Sequence, residues 1–277
     1  MSVETASEDD NNDPNASPLK HFGREVQLSR ERWGKSRAEL GKEANCGYSL
    51  VAKIETGERV PPRSFAEACD RTFPHSDGRF ERLWALVIRY AYPPWFRPYV
   101  ALEQKANLVR MFNPTLLPGL VQTRAYAEAV LRTGRPTNLQ DLVTVRLDRQ
   151  HILTREEDPA RLWLVMNEEA LRNSVGDAAV MRAQLNHLRD IAETPRHRVQ
   201  IVPASKRNVL VVSPFGMLSF VDDADVVHVD GFPRGYVLAD PEDVAQARDA
   251  YDLLTAMAAP PDETAELINS IVKDCYS

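Results

Sequence analysis

Residues 36–59, SRAELGKEANCGYSLVAKIETGER, constrain the fold more than any other stretch of this chain. Ser36 with Glu39 three residues on is a capping box: the serine oxygen takes an N3 amide and the glutamate reaches back to the cap. Leu40, Ala44, Leu50, Val51 and Ile54 recur at helical spacing, so they line the inner faces of two short helices. Asn45-Cys46-Gly47 between them has the length and composition of a tight turn, and Gly57 ends the second helix as a C-cap. Two short helices about such a turn predict a helix-turn-helix, whose second helix is held outward to enter the major groove of DNA.

That geometry assigns roles. The first helix of the pair lies across the backbone with its N-terminus toward a phosphate, which places Ser36 and Arg37 there. Arg37 suits a bidentate phosphate pair or a guanine edge. With Leu50, Val51 and Ile54 turned inward, the outward positions of the second helix are Tyr48, Ser49, Ala52, Lys53 and Thr56. Ser49 can bond several base edges, Tyr48 can bond or stack, and Ala52 is small enough to touch a thymine methyl. Lys53 and Arg59 are better placed for phosphates.

Charge follows the motif. The chain has net charge -6, yet residues 19–75 hold eleven Lys or Arg against eight Asp or Glu, while residues 1–18 hold five acids and no base. A basic module in an acidic chain suits phosphate contact, and its modest excess points to a second copy or a second surface for affinity. The 43% apolar and 27% charged shares are those of a soluble globular protein, with no membrane span and no signal segment expected. Cys46, Cys69 and Cys275 are odd in number and widely spaced, so reduced thiols in a cytoplasmic protein are expected.

The chain of 277 residues reads as multidomain: an acidic disordered tail over 1–17, an all-α helix-turn-helix domain over 18–75, a helical connector over 76–105 and an α+β domain over 106–277. A first helix carries Phe22, Val26, Leu28 and Trp33 and breaks at Gly34, and Ser64–Thr72 restarts a helix after Pro61-Pro62. In the connector a helical run, FERLWALVIRYAY, stops at Pro93-Pro94, and Trp84, Trp95 and Phe96 are expected to pack the seam between domains. Beyond it, strands are expected at 107–112, 161–166, 198–202, 215–221 and 225–229. Helices are expected near 123–133, 138–154, 177–194, 241–258 and 261–273.

Segment 19–73 resembles the Xre (Cro/repressor-like) helix-turn-helix family through Gly34, Ser36, Leu40, Lys53, Ile54, Glu55, Gly57, Arg59 and Pro61. It departs from that pattern at Arg37, where glutamine is usual, and at Gly41, where alanine is usual; the glycine costs the helix about 1 kcal/mol relative to alanine. The resemblance implies a lambda-repressor-like fold and a homodimer on a palindromic double-stranded DNA operator. Residues 92–275 are similar to the poorly characterised effector region that follows such domains in actinomycete-type regulators. They carry WFRPYVALE, LLPGLVQTRAYAEAVL and DPARLWLVMNEEALR. Such regulators are frequently encoded beside a small acidic partner protein, which that likeness makes a possible partner here.

These readings imply a DNA-binding transcriptional regulator gated through its C-terminal domain by a small ligand or a partner protein. The alternatives are an antitoxin-like or adaptor protein that autoregulates a neighbouring partner, and a nucleotide-handling enzyme domain fused to the motif. Pro118-Gly119 with Gln122, Thr123 and Tyr126 could line a pocket, Glu168 and Glu169 could serve as acid or base, and Arg161 could clamp an anion. No nucleophile elbow, phosphate loop or H-E-x-x-H is present, and the six histidines lack metal-ligand spacing. We therefore expect no catalysis, no cofactor and no metal.

Overall fold

The computed structural model describes residues 17–92, 95–206, 213–232 and 234–276; the tail expected at 1–17, Ser17 excepted, and the Pro93-Pro94 stop lie outside them. The chain forms two compact units. The first takes the described residues up to 92 together with Thr137–Asp148, and the second takes the remainder. The first unit therefore runs past residue 75 and takes back a helix from far along the chain.

Twelve α-helices and six strands lie in the described residues. The helices are α1 (Pro18–Arg32), α2 (Arg37–Glu43), α3 (Tyr48–Glu55), α4 (Arg63–Thr72), α5 (Arg79–Ala91), α6 (Arg97–Glu103), α7 (Arg124–Arg132), α8 (Leu139–Asp148), α9 (Glu168–Arg172), α10 (Ala178–Ala192), α11 (Pro241–Met257) and α12 (Thr264–Tyr276). The strands are β1 (Leu108–Asn113), β2 (Arg161–Asn167), β3 (Arg198–Val202), β4 (Phe215–Ser219), β5 (Val226–Val229) and β6 (Tyr236–Leu238).

In the first unit, α1 starts on Ser17, whose oxygen accepts from the Lys20 amide, with Pro18 in the first turn. Leu19, Phe22, Val26 and Ser29 form its buried stripe. Leu28 and the C-cap residue Trp33 fall outside the stripe and are 43% and 46% exposed. Phe22 meets Phe80 of α5 edge-on at 6.0 Å, and Leu40, Val51, Ile54, Phe65 and Cys69 complete a closed apolar core.

One device ends all three leading helices. A residue in the left-handed region follows each C-cap: Gly34 after α1, Asn45 after α2 and Gly57 after α3. In each case the next amide bonds the carbonyl five residues back: Lys35 to Arg30, Cys46 to Gly41 and Glu58 to Lys53. These are Schellman motifs, and they let four residues connect α1 to α2 and four more connect α2 to α3. Asparagine serves the second because it tolerates the left-handed region better than most side chains.

The second unit is built on one six-stranded sheet in the order β3-β2-β1-β4-β5-β6. β1, β2 and β3 are parallel, whereas β4, β5 and β6 run antiparallel. On β2, Leu162, Leu164 and Met166 face a core shared with α7, α10 and α12, and Val165 faces the other side against Tyr251 and Leu254 of α11. Helices cover both faces of a mixed sheet, and the class is α+β. The strand β6 is an addition to the sequence reading, whereas α6 lies within the expected helical connector.

Candidate DNA-binding surface

The capping box expected at α2 is formed. Ser36 Oγ accepts from the Glu39 amide at 3.2 Å and donates to Glu39 Oε2 at 2.7 Å, and the Ser36 amide donates to the same oxygen at 2.7 Å. The bonds from the Ser36 amide and hydroxyl hold the Glu39 carboxyl below the usual carboxylate range. A carboxylate thus already occupies the positive end of α2, where the sequence reading placed a phosphate.

Helix α3 divides as its spacing requires. Val51, Ile54 and Glu55 are buried, Leu50 and Ala52 are half-buried, and Tyr48, Ser49, Lys53 and Thr56 stand in solvent. Tyr48 is 57% exposed at the leading end, an unusual setting for a large aromatic ring. The Thr56 hydroxyl donates to the Lys53 carbonyl, which leaves its oxygen as an acceptor. The outward face is therefore a short polar strip with one aromatic ring at its start.

Behind the strip lies a buried acid. The Glu55 side chain is 1% exposed, and an unpaired carboxylate there would be very costly. Arg30 of α1 pairs with it through Nε to Oε1 at 2.6 Å and Nη2 to Oε2 at 3.2 Å. Arg37 of α2 adds Nε to Oε2 at 2.7 Å, and its Nη1 donates to the Tyr48 hydroxyl at 3.3 Å. These bonds, first to Glu55 and then to Tyr48, raise the pKa of Arg37 above its ordinary value. One carboxylate thus joins three helices. Sequence reasoning noted Glu55 only within a motif; its place next to Ile54 on the inward face was the sign that it needed a cationic partner.

Arg59, expected on phosphate, is 22% exposed and pairs through Nε with Asp148 Oδ1 of α8 at 2.5 Å. Burial pushes the Asp148 carboxyl up to about 6, against the opposing pull of Arg59 and of the Val60 amide. Tyr90 Oη donates to Asp141 Oδ2 at 3.1 Å and Tyr92 Oη to the Val145 carbonyl at 3.4 Å, so three polar ties fasten α8 within the first unit.

Features that hinted at other chemistry are engaged in the fold. Gln122 Nε2 donates to the Leu117 carbonyl, the Thr123 amide to Gln184 Oε1, and Tyr126 Oη accepts from the Leu117 amide. The Ala204 amide bonds Glu168 Oε2 and Arg172 bonds Oε1; with the amide bond foremost, these hold that carboxyl below its ordinary range. Arg161 lies 6.0 Å from the Trp163 ring, which Arg198 and Arg110 also approach at 4.5 and 5.0 Å. Trp84 donates to the Pro61 carbonyl in the first unit, whereas Trp95 and Phe96 belong to the second and touch each other at 5.6 Å between ring centres. All three cysteines are free. Among the described residues no His/Cys/Asp/Glu group could hold a metal ion, and no helix is long and apolar enough to cross a membrane.

Comparison with known proteins matches residues 21–83 to a helix-turn-helix domain and residues 96–270 to a domain of unknown function, DUF5753. The second match spans more than half of the chain, which therefore belongs to the DUF5753 family. No curated protein and no solved structure matches. The helix-turn-helix match supports a DNA-binding regulator.

Proposed function

We propose that this chain is a sequence-specific transcriptional regulator that docks α3 in the major groove of DNA as a homodimer. The observation that carries the reading is the division of α3. Its inner face is locked to α1 and α2 through Val51, Ile54 and Glu55, while Tyr48, Ser49, Lys53 and Thr56 are left to solvent. Rigid support of a short, exposed polar strip is what base readout requires. Lys53, exposed on that strip, supplies phosphate attraction. The residues shared with Xre-type regulators, among them Gly34, Ser36, Ile54, Glu55 and Gly57, support placing it within that family and its actinomycete-type branch.

The C-terminal domain, in this reading, receives a small ligand or a partner protein and gates DNA binding from the cytoplasm without catalysing a reaction. Thr137–Asp148 belongs to the DNA-binding unit while the chain on either side belongs to the other, so a change in the C-terminal domain can reach the first unit through both ends of α8. In this reading Glu168, bonded to the Ala204 amide and to Arg172, serves the packing of its own domain.

Selection of bound duplexes from a random pool by the full-length chain tests the proposal. The expected product is an inverted repeat with half-sites about one helical turn apart. A single unrepeated site would refute the dimer, and a pool without enrichment would refute sequence-specific binding.

A further inference from the structure

The sequence marks Arg161 as a residue able to clamp an anion, and the sheet places two more arginines beside it. Register aligns Arg110 of β1, Trp163 of β2 and Arg198 of β3 in one row across three neighbouring strands. Cross-strand partners share a face, and Arg161, two residues before Trp163 on its own strand, joins them there. The guanidinium carbons of Arg110, Arg161 and Arg198 lie 5.0, 6.0 and 4.5 Å from the Trp163 ring centre. Three positive charges thus surround one ring. Trp163 itself is anchored: it packs on the apolar cluster that includes Tyr251 and Leu254 of α11, and its carbonyl accepts from Tyr251 Oη at 3.0 Å.

The arginine heads are not spent on carboxylates. Arg110 donates to Ser219 Oγ at 3.1 Å. That hydroxyl donates to Asp225 Oδ2 at 3.0 Å, an oxygen that Arg248 of α11 also reaches at 3.2 Å. Arg161 and Arg198 are exposed, and among the described residues the Trp163 ring, rather than an acid, is what holds their heads. A guanidinium seated on a ring spends its face and keeps its in-plane N–H edge for other partners. Such edges grip phosphate and carboxylate oxygens in pairs. Like charges this close repel, so an anion among them lowers the energy of the whole group. The number of cations selects its class. A carboxylate brings one charge to one fork, whereas a phosphate brings about two charges and three acceptor oxygens, and a chain of phosphates repeats that along its length.

We propose that Arg110, Arg161 and Arg198, gathered around Trp163, bind the phosphate chain of a small-molecule ligand. Through this site the small ligand of the proposed function gains a chemical class. The gating consequence rests on that reading; the binding does not.

Calorimetry of the full-length chain with tripolyphosphate, orthophosphate and citrate, a polycarboxylate, tests the site. Wild type should bind tripolyphosphate at least about tenfold more tightly than the other two. Arg161→Gln/Arg198→Gln removes two exposed forks and should weaken tripolyphosphate by about a hundredfold. Arg161→Lys/Arg198→Lys, which keeps the charge and loses the forks, should recover only part of that affinity. Lys53→Gln on α3 should bind tripolyphosphate as wild type does. Urea midpoints of the variants are measured beside wild type, so that lost binding is not mistaken for lost fold. The site is refuted if tripolyphosphate does not bind wild type, if the glutamine pair binds it equally well, or if citrate binds as tightly. A glutamine pair that weakens a scrambled duplex and flattens its salt slope marks a DNA backbone contact instead, and the small-ligand assignment fails. Tripolyphosphate that binds at the row yet leaves affinity for the selected duplex unchanged upholds the site and refutes the gating reading.

Discussion

Gly41 shows how a residue judged by propensity alone is judged with the wrong sign. Alanine is favoured over glycine in a helix by about 1 kcal/mol, so Gly41 reads from the sequence as a weak point in α2. In the folded chain a Cβ at this position would lie 2.6 Å from the Cys46 carbonyl oxygen, because the turn after α2 folds back on it. Backbone must then move, and overpacking of this kind costs about 1–3 kcal/mol. Gly41→Ala is therefore expected to destabilise the protein by about 1 kcal/mol net, read as a lowered midpoint in urea; a raised midpoint would contradict the close approach. The buried acid allows a second test. Arg30 is 11% exposed and makes two bonds to Glu55, so Arg30→Met leaves that carboxylate with Arg37 alone. A loss of about 3 kcal/mol in urea unfolding is expected, at the lower end for breaking a buried pair because one arginine remains. An unchanged midpoint would show that Arg37 suffices.

At the scale of elements, the helix-turn-helix was legible because its signals are local. The Ser36–Glu39 box, the Asn45 turn and the Gly57 stop each act within six residues, and the structure places α2 and α3 within a residue of where those signals put them. Helix α8 was legible as a helix but not as part of the first unit, since that assignment rests on ties to Arg59, Tyr90 and Tyr92, between about 50 and 90 residues away in sequence. Strand β6 was missed because three residues are too few to show alternation. The α8 tie gives stability a pH dependence. A carboxyl raised from 3.8 to about 6 in the fold binds a proton more tightly folded than unfolded. Its contribution is therefore fully present below about pH 4, is lost as the pH rises from about 4 to about 6, and is constant above. The loss is at most about 3 kcal/mol. Unfolding free energies of wild type and Asp148→Asn between pH 4 and 7 should differ by this slope; parallel curves would contradict the burial of Asp148.

For the whole molecule, the sequence showed the output more clearly than the input. The N-terminal unit carries motifs with a known docking geometry, whereas the family domain at 96–270 carries an ordinary mixed sheet whose inward residues speak only of packing. Candidate ligand groups such as Gln122 and Glu168 turned out to hold neighbouring backbone, a distinction that spacing cannot make because it depends on partners such as Leu117 and Ala204. The central claim is that the exposed strip of α3 reads DNA sequence, and one titration tests it most directly. The full-length chain and its Tyr48→Ala/Ser49→Ala variant are each bound to the selected duplex and to a scrambled one at physiological salt. The account predicts that wild type prefers the selected duplex by about a thousandfold, and that the variant loses most of that preference while retaining its scrambled-duplex affinity. A variant that discriminates as well as wild type would contradict it.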